Sequence, residues 1–203
     1  IILNNNNNNN NDNKLKTSNN NYKLNTNKLS KKIAFLFLTL DDIFHPEIWE
    51  KYFKNNEDKI NIYCHPKYPD KVSIPWLKKN IIPELVETEW GIITDAYYKL
   101  LNTAFKDKSN MKFITISESC IPLKCFDDLY SEIIENNENE NISYIKLWKE
   151  ITKYDWKERI KTQDNYENYH FIKHYARFCL SRQHTELLLT KKKDFISFFN
   201  KMH

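Results

Sequence analysis

The sequence predicts an α/β domain, a mostly parallel sheet with helices on both faces, behind an Asn-rich tail. Three observations carry that prediction. A short, continuous apolar run at residues 32–39 is followed by strand-like segments at 59–64, 111–116 and 142–147. Between them lie stretches with apolar residues at helical spacing, and polar groups gather where the apolar runs end. A continuous apolar run is what a strand needs when both faces of its sheet are covered, whereas a half-exposed strand alternates. Helices alternating with such strands give βαβ units.

Residues 1–31 stand apart. Asn4 to Asn11 is a homopolymer and the polar run continues to Ser30, so there is too little apolar surface to offset the entropy of ordering. The expectation is a disordered tail, either a tolerated low-complexity expansion or an association segment. The folded domain then runs over 32–203. Its first strand reads Lys-Ile-Ala-Phe-Leu-Phe-Leu-Thr from Lys32 to Thr39. Pro46 suits the first turn of a helix through Lys54 in which Ile48, Trp49, Tyr52 and Phe53 share a face. Residues 59–64 return as a strand, and 81–86 read as another. Residues 94–105 are helical, with Ala96, Tyr97, Leu100, Leu101 and Ala104 inward. The strand at 111–116 precedes a helix at 126–134, whose first turn holds Asp127 and Asp128, where the helix dipole favours negative charge. A strand at 142–147, another at 177–181, and helices at 183–189 and 194–202 complete the reading.

Composition narrows the function. Net charge is +4, from 31 basic and 27 acidic residues interspersed along the chain, with no basic stripe of the kind that grips nucleic acid. The four cysteines form no CxxC pair and have no His at zinc-finger spacing, which excludes the usual structural metal motifs. Cys64 and Cys179 sit in apolar runs and read as buried. No stretch reaches the ~20 apolar residues of a membrane helix, so membrane attachment is expected only through a segment outside this chain. Gly91 is the single glycine.

Four motifs in order carry a resemblance: Ile33 to Thr39 (IAFLFLT), Ile62 to His65 (IYCH), Glu89 to Leu101 (EWGIITDAYYKLL) and Phe113 to Leu123 (FITISESCIPL). Together, over about residues 32–190, they resemble the core-2/I-branching β-1,6-N-acetylglucosaminyltransferase family, in its plant-type branch. The resemblance implies a GT-A-like nucleotide-sugar-binding fold. It also implies inverting transfer of a sugar, N-acetylglucosamine in the first instance, from a UDP donor to a glycan hydroxyl without a divalent metal. No cofactor is expected beyond the UDP-sugar, which is the donor substrate. The folded part has no Asp-x-Asp motif after an apolar strand, in keeping with a metal-free site. The family's catalytic base belongs to an acidic motif that would lie beyond His203, which makes this a C-terminally incomplete catalytic domain, inactive alone. The compartment implied is the Golgi or secretory membrane, or the cytoplasm if the chain is complete as given.

Ligands of open α/β sheets sit beyond the carboxyl ends of the strands. The donor-binding candidates are therefore Thr39, His65, Trp90, Gly91, Ser117, Glu118 and Ser119. Each also has a plainer use. His65 either bonds the nucleotide, as the resemblance suggests, or caps a loop. Trp90 and Gly91 precede a helix N-terminus suited to an anion or sugar oxygen, or else form a turn that needs positive φ. Ser117, Glu118 and Ser119 offer hydroxyls and a carboxylate to sugar hydroxyls, or face solvent. Trp148 and Arg177 are the acceptor-binding candidates, and Arg177 and Arg182 both suit phosphate. The chain departs from the family at His65-Pro66-Lys67, where His-Val-Asp is frequent, and at Tyr175 to Phe178, where a Gly-Ser segment is usual. A competing expectation is a non-catalytic module that binds a sugar nucleotide or glycan.

Overall fold

A computed structural model of the chain describes residues 30–89, 92–147 and 174–191. Its elements are β1 (Lys32–Thr39), α1 (Pro46–Phe53), β2 (Ile60–Pro66), α2 (Pro75–Lys79), α3 (Thr94–Phe105), β3 (Asn110–Ser117), α4 (Phe126–Tyr130), β4 (Tyr144–Leu147), β5 (His174–Ser181) and α5 (Arg182–Thr190). The strands form one sheet in the order β2-β1-β3-β5-β4. β1 pairs in parallel with β2 and β3, while β5 is antiparallel to both β3 and β4. Four strands thus share a direction and β5 alone is reversed.

The apolar run at 32–39 is continuous because β1 is buried on both faces. Ile33, Phe35 and Phe37 point into one layer, with Trp49 and Phe53 of α1, Leu77 of α2, and Phe126 and Tyr130 of α4. Ala34 and Leu36 point into the other, with Leu100, Leu101 and Ala104 of α3 and Leu188 and Leu189 of α5. The first layer is aromatic: Phe35 meets Phe53 at 5.0 Å and Phe37 meets Trp49 at 5.3 Å between ring centroids, both edge to face. Such pairs add ~1 kcal/mol each to plain burial.

Most expected elements are present within a residue or three of their predicted ends. One is corrected. Residues 81–86 do not form a strand; Ile81 makes a single bridge to Cys64. Pro83 cannot donate to a ladder, and the Val86 N–H is bonded instead to the His65 ring. α2, which starts at Pro75, falls in a stretch read as loop. The helix expected through Ile134 loosens after Tyr130 into a wider π-type turn, Ser131–Glu135. The predicted helix at 194–202 lies outside the described residues, as does the body of the Asn-rich tail. At the tail's end the fold has already taken hold: the Tyr130 hydroxyl donates to the Lys31 carbonyl at 2.6 Å and Lys31 pairs with Glu140.

Two cations, Lys112 buried and Arg182 part-buried, tie the amino-terminal edge of the sheet. Lys112 on β3 is 1% exposed, and its ammonium donates to the carbonyls of Asn139 and Ile142. Burial pulls its pKa below the ordinary lysine value. Arg182, at the start of α5, reaches back to the end of α3. Its Nη1 donates to the carbonyls of Asp107 and Asn110 and its Nη2 to that of Phe105, each at 3.0 Å. The guanidinium also lies 4.1 Å from the Phe105 ring centre. These carbonyls line the turn from the end of α3 into β3, met by a planar cation that can fork to several at once.

Replacing Arg182 by Ala is expected to cost about 2 kcal/mol of unfolding free energy, since it removes three charge-assisted hydrogen bonds to part-buried carbonyls. Arg182→Lys should recover only part of that loss. Chemical denaturation of the three proteins checks this, and an unchanged midpoint for Arg182→Ala would refute it.

Candidate functional site

The parallel register decides where the predicted residues meet. Leu38 stands opposite His65 on one side and Ser117 on the other, and Thr39 stands opposite Pro66. The ends of β1, β2 and β3 therefore open at one edge, with the backbones of His65 and Ser117 roughly 10 Å apart, two strand spacings. The strand order turns back at β1, the arrangement that leaves a crevice between diverging loops.

The three loops at that edge are laced together. The Lys67 and Tyr68 N–H groups donate to the carbonyls of Thr39 and Leu40, extending the β1–β2 pairing past the strands. The Phe44 N–H donates to the Glu118 carbonyl at 2.9 Å, and the Trp49 ring N–H donates to the Cys120 carbonyl at 3.0 Å. The Asp42 carboxylate accepts from the backbone of Ser73 and Ile74 and from the Ser73 hydroxyl. Burial pushes the Asp42 carboxyl upward, but those hydrogen bonds outweigh it and hold the group below the ordinary 3.8.

Within this frame the candidates have distinct positions. Thr39 is buried, and its hydroxyl donates to the Asp41 carbonyl at 2.7 Å inside its own loop. His65 is fully buried and its Nε2 accepts the Val86 N–H at 3.0 Å, the loop-capping arrangement. An accepting Nε2 requires the neutral ring with its proton on Nδ1, and that nitrogen has no partner among the described residues. Burial lowers the His65 pKa below the ordinary 6.5. Ser117 is part-buried, Glu118 lends its carbonyl to Phe44, and Ser119 is exposed with its hydroxyl 3.5 Å from that of Ser117. Trp90, Gly91 and Trp148 lie outside the described residues.

The two arginines separate. Arg182 is at the far edge, closing α3, while Arg177 joins the predicted donor loop. Because β5 runs against β3, the first residues of β5 lie beside the last of β3. Arg177 donates from Nε to Cys120 Sγ at 3.1 Å and from Nη2 to the Ser117 hydroxyl at 3.4 Å. Tyr97 of α3 packs on Phe178 at 5.6 Å and completes this group. Its hydroxyl is pushed up to about 12, by burial first, with Cys120 and Glu118 adding and Arg177 opposing. At the β2 end, Lys67 and Lys71 hold their ammonium groups 5.6 and 4.7 Å from the Tyr68 ring centre. Cations thus flank the edge on both sides.

Two of these parts are invisible as site residues in the sequence. Tyr97 reads as one more inward helix position, and Asp42 as one polar residue in a turn; only the register shows that each contacts a neighbouring loop. Among the described residues no three His, Cys, Asp or Glu side chains converge as a metal-ligand set. The four cysteines are free thiols, and burial raises Cys64 and Cys179 to about 12, which leaves them unreactive.

Comparison with known proteins matches the sequence to a family. The profile of the family described as Core-2/I-Branching enzyme covers residues 33–203. The chain belongs to the Core-2/I-branching enzyme family. One curated relative of this branching-enzyme domain, Glycosyltransferase BC10 of Oryza sativa subsp. japonica, is 25% identical over 114 residues. That match takes in 52% of this chain and 29% of the relative, so the aligned part spans under a third of the relative's length. It accords with the plant-type branch that the motifs suggested. No helix among the described residues is long and apolar enough to cross a membrane.

His65 makes stability depend on pH in a definite window. Its native pKa lies below its unfolded value of 6.5, so below about pH 6.5 the unfolded chain binds more protons than the native one. The stabilising contribution is complete above pH 6.5 and is lost as pH falls below it. The difference in unfolding free energy between the parent and His65→Gln, measured from pH 7.5 to 5, should shrink as pH falls. A constant difference would show that the ring is not held neutral.

Proposed function

We propose that this domain forms the donor-binding part of an inverting glycosyltransferase that moves a sugar, first N-acetylglucosamine, from a UDP donor to a glycan hydroxyl without a divalent metal. The observation that carries the reading is the register that brings the ends of β1, β2 and β3 to one edge. Family membership and the glycosyltransferase name of the rice relative support the transfer chemistry. UDP, the sugar and the metal-free step rest on the resemblance of the motifs.

The chemistry asks three things of the site. It must hold a nucleotide, meet the charge that grows on the diphosphate as the sugar leaves, and deprotonate the attacking hydroxyl. Ser117, Glu118 and Ser119 offer the hydroxyls and carboxylate that hold a sugar. Lys67, Lys71 and Arg177 are the cations at the edge that can meet the diphosphate. A general base must come within hydrogen-bond reach of the acceptor oxygen, and in this reading it belongs to sequence beyond His203.

Thermal unfolding with UDP or UDP-N-acetylglucosamine tests the binding step. Ligand at ~100 times its dissociation constant should add about 2.7 kcal/mol of stability. UDP release by a longer protein that includes the downstream segment should proceed equally with and without EDTA. No stabilisation by any UDP-sugar would remove the donor-site reading, and EDTA-sensitive release would remove the metal-free step. Stabilisation without turnover in the longer protein would instead assign a binding module.

A further inference from the structure

We infer that Arg177 is the seat for an oxyanion of the ligand, a phosphate of the donor or an acidic group on the acceptor. The inference rests on the reading of this edge as a sugar-transfer site. It starts from a contrast between two arginines a few residues apart. Arg182 spends its guanidinium on three carbonyls and a ring. Arg177 is exposed and touches only neutral groups, a thiol and a hydroxyl, the latter at a long 3.4 Å. Among the described residues no carboxylate pairs with it, and its Nη1 makes no hydrogen bond.

Its surroundings hold the head group in place without neutralising it. The Nε–H is aimed at Cys120 Sγ, whose own position is set by the Ser117 N–H at 3.4 Å and by the Trp49 bond to the Cys120 carbonyl. That contact orients the guanidinium plane and leaves Nη1, with the second N–H of Nη2, for a ligand. A planar fork oriented in this way suits the paired oxygens of a phosphate or carboxylate. Glu118 is the nearby acidic side chain, close enough to Tyr97 to bear on its hydroxyl, yet it forms no ion pair with Arg177. The site therefore presents a cation, a separate carboxylate and the Ser117 hydroxyl at one strand edge. The carboxylate and hydroxyls suit sugar hydroxyls, and the cation suits a charged substituent.

Ligand titrations followed by NMR, on the unaltered chain, Arg177→Gln and Arg177→Lys, test the inference and identify the source of the anion. The probes are UDP against uridine, and phenyl β-glucuronide against phenyl β-glucoside. If the anion is the donor's phosphate, Arg177→Gln weakens UDP by about tenfold and leaves uridine unchanged. If it is an acidic acceptor, Arg177→Gln erases a preference for the glucuronide over the glucoside and leaves UDP unchanged. Arg177→Lys should fall between in either case, because charge is kept and the fork is lost. Equal binding of each charged probe by the unaltered chain and Arg177→Gln overturns the inference, as does the lack of any charge preference in the unaltered chain. UDP binding that survives such a result leaves the transferase reading standing. A glucuronide preference that depends on Arg177, in a chain that binds no UDP-sugar, would sink that reading and keep the anion seat. Thermal unfolding of the variants without ligand confirms that each is folded.

Discussion

β1 is the constraint on which the rest of the molecule depends. It is hydrogen-bonded on both sides and buried on both faces, so its register cannot slip by one residue without turning Phe35 and Phe37 out of the aromatic layer and Ala34 and Leu36 out of the other. Fixing β1 fixes β2 and β3 beside it, and the parallel sense of both pairs brings their three following loops to one edge. The site follows from the sheet: its loops are neighbours because their strands are.

The sheet's two edges divide their work. At the amino-terminal edge the polar groups are consumed internally. Asn61 donates to Asp107 and Asn110, Asn110 donates to the Tyr63 hydroxyl, and Arg182 and Lys112 each donate to backbone carbonyls of the adjoining turns. At the opposite edge hydroxyls, a carboxylate and cations remain available, and apolar side chains such as Phe44 and Leu123 stand exposed beside them.

Much of this was legible in the sequence, and what was not has physical causes. The strand at 32–39 announced itself because burial on both faces leaves no room for alternation. The motif ending in Ser117 to Leu123 lies at the edge where β1, β2 and β3 end together. The strand misread at 81–86 looked apolar enough, but one proline and one histidine ring remove the donors a ladder needs. α2 is too short for a helical period to register. The roles of Arg177 and Arg182 could not be told apart from their neighbours in the chain. Which edge each one reaches depends on β5 being reversed, and pairing direction leaves no mark on local composition.

The lacing of the loops also bears on how a ligand would be received. With the Phe44 N–H held by Glu118, the Trp49 ring by Cys120, and Ser73 and Ile74 by Asp42, the mouth of the crevice is preorganised. A molecule entering it meets groups whose conformational entropy was lost during folding, so less of the interaction energy is spent on ordering them. The same stiffness limits tolerance: a mouth that cannot reshape itself discriminates by fit, and relatives with different preferences must differ in the residues that line it.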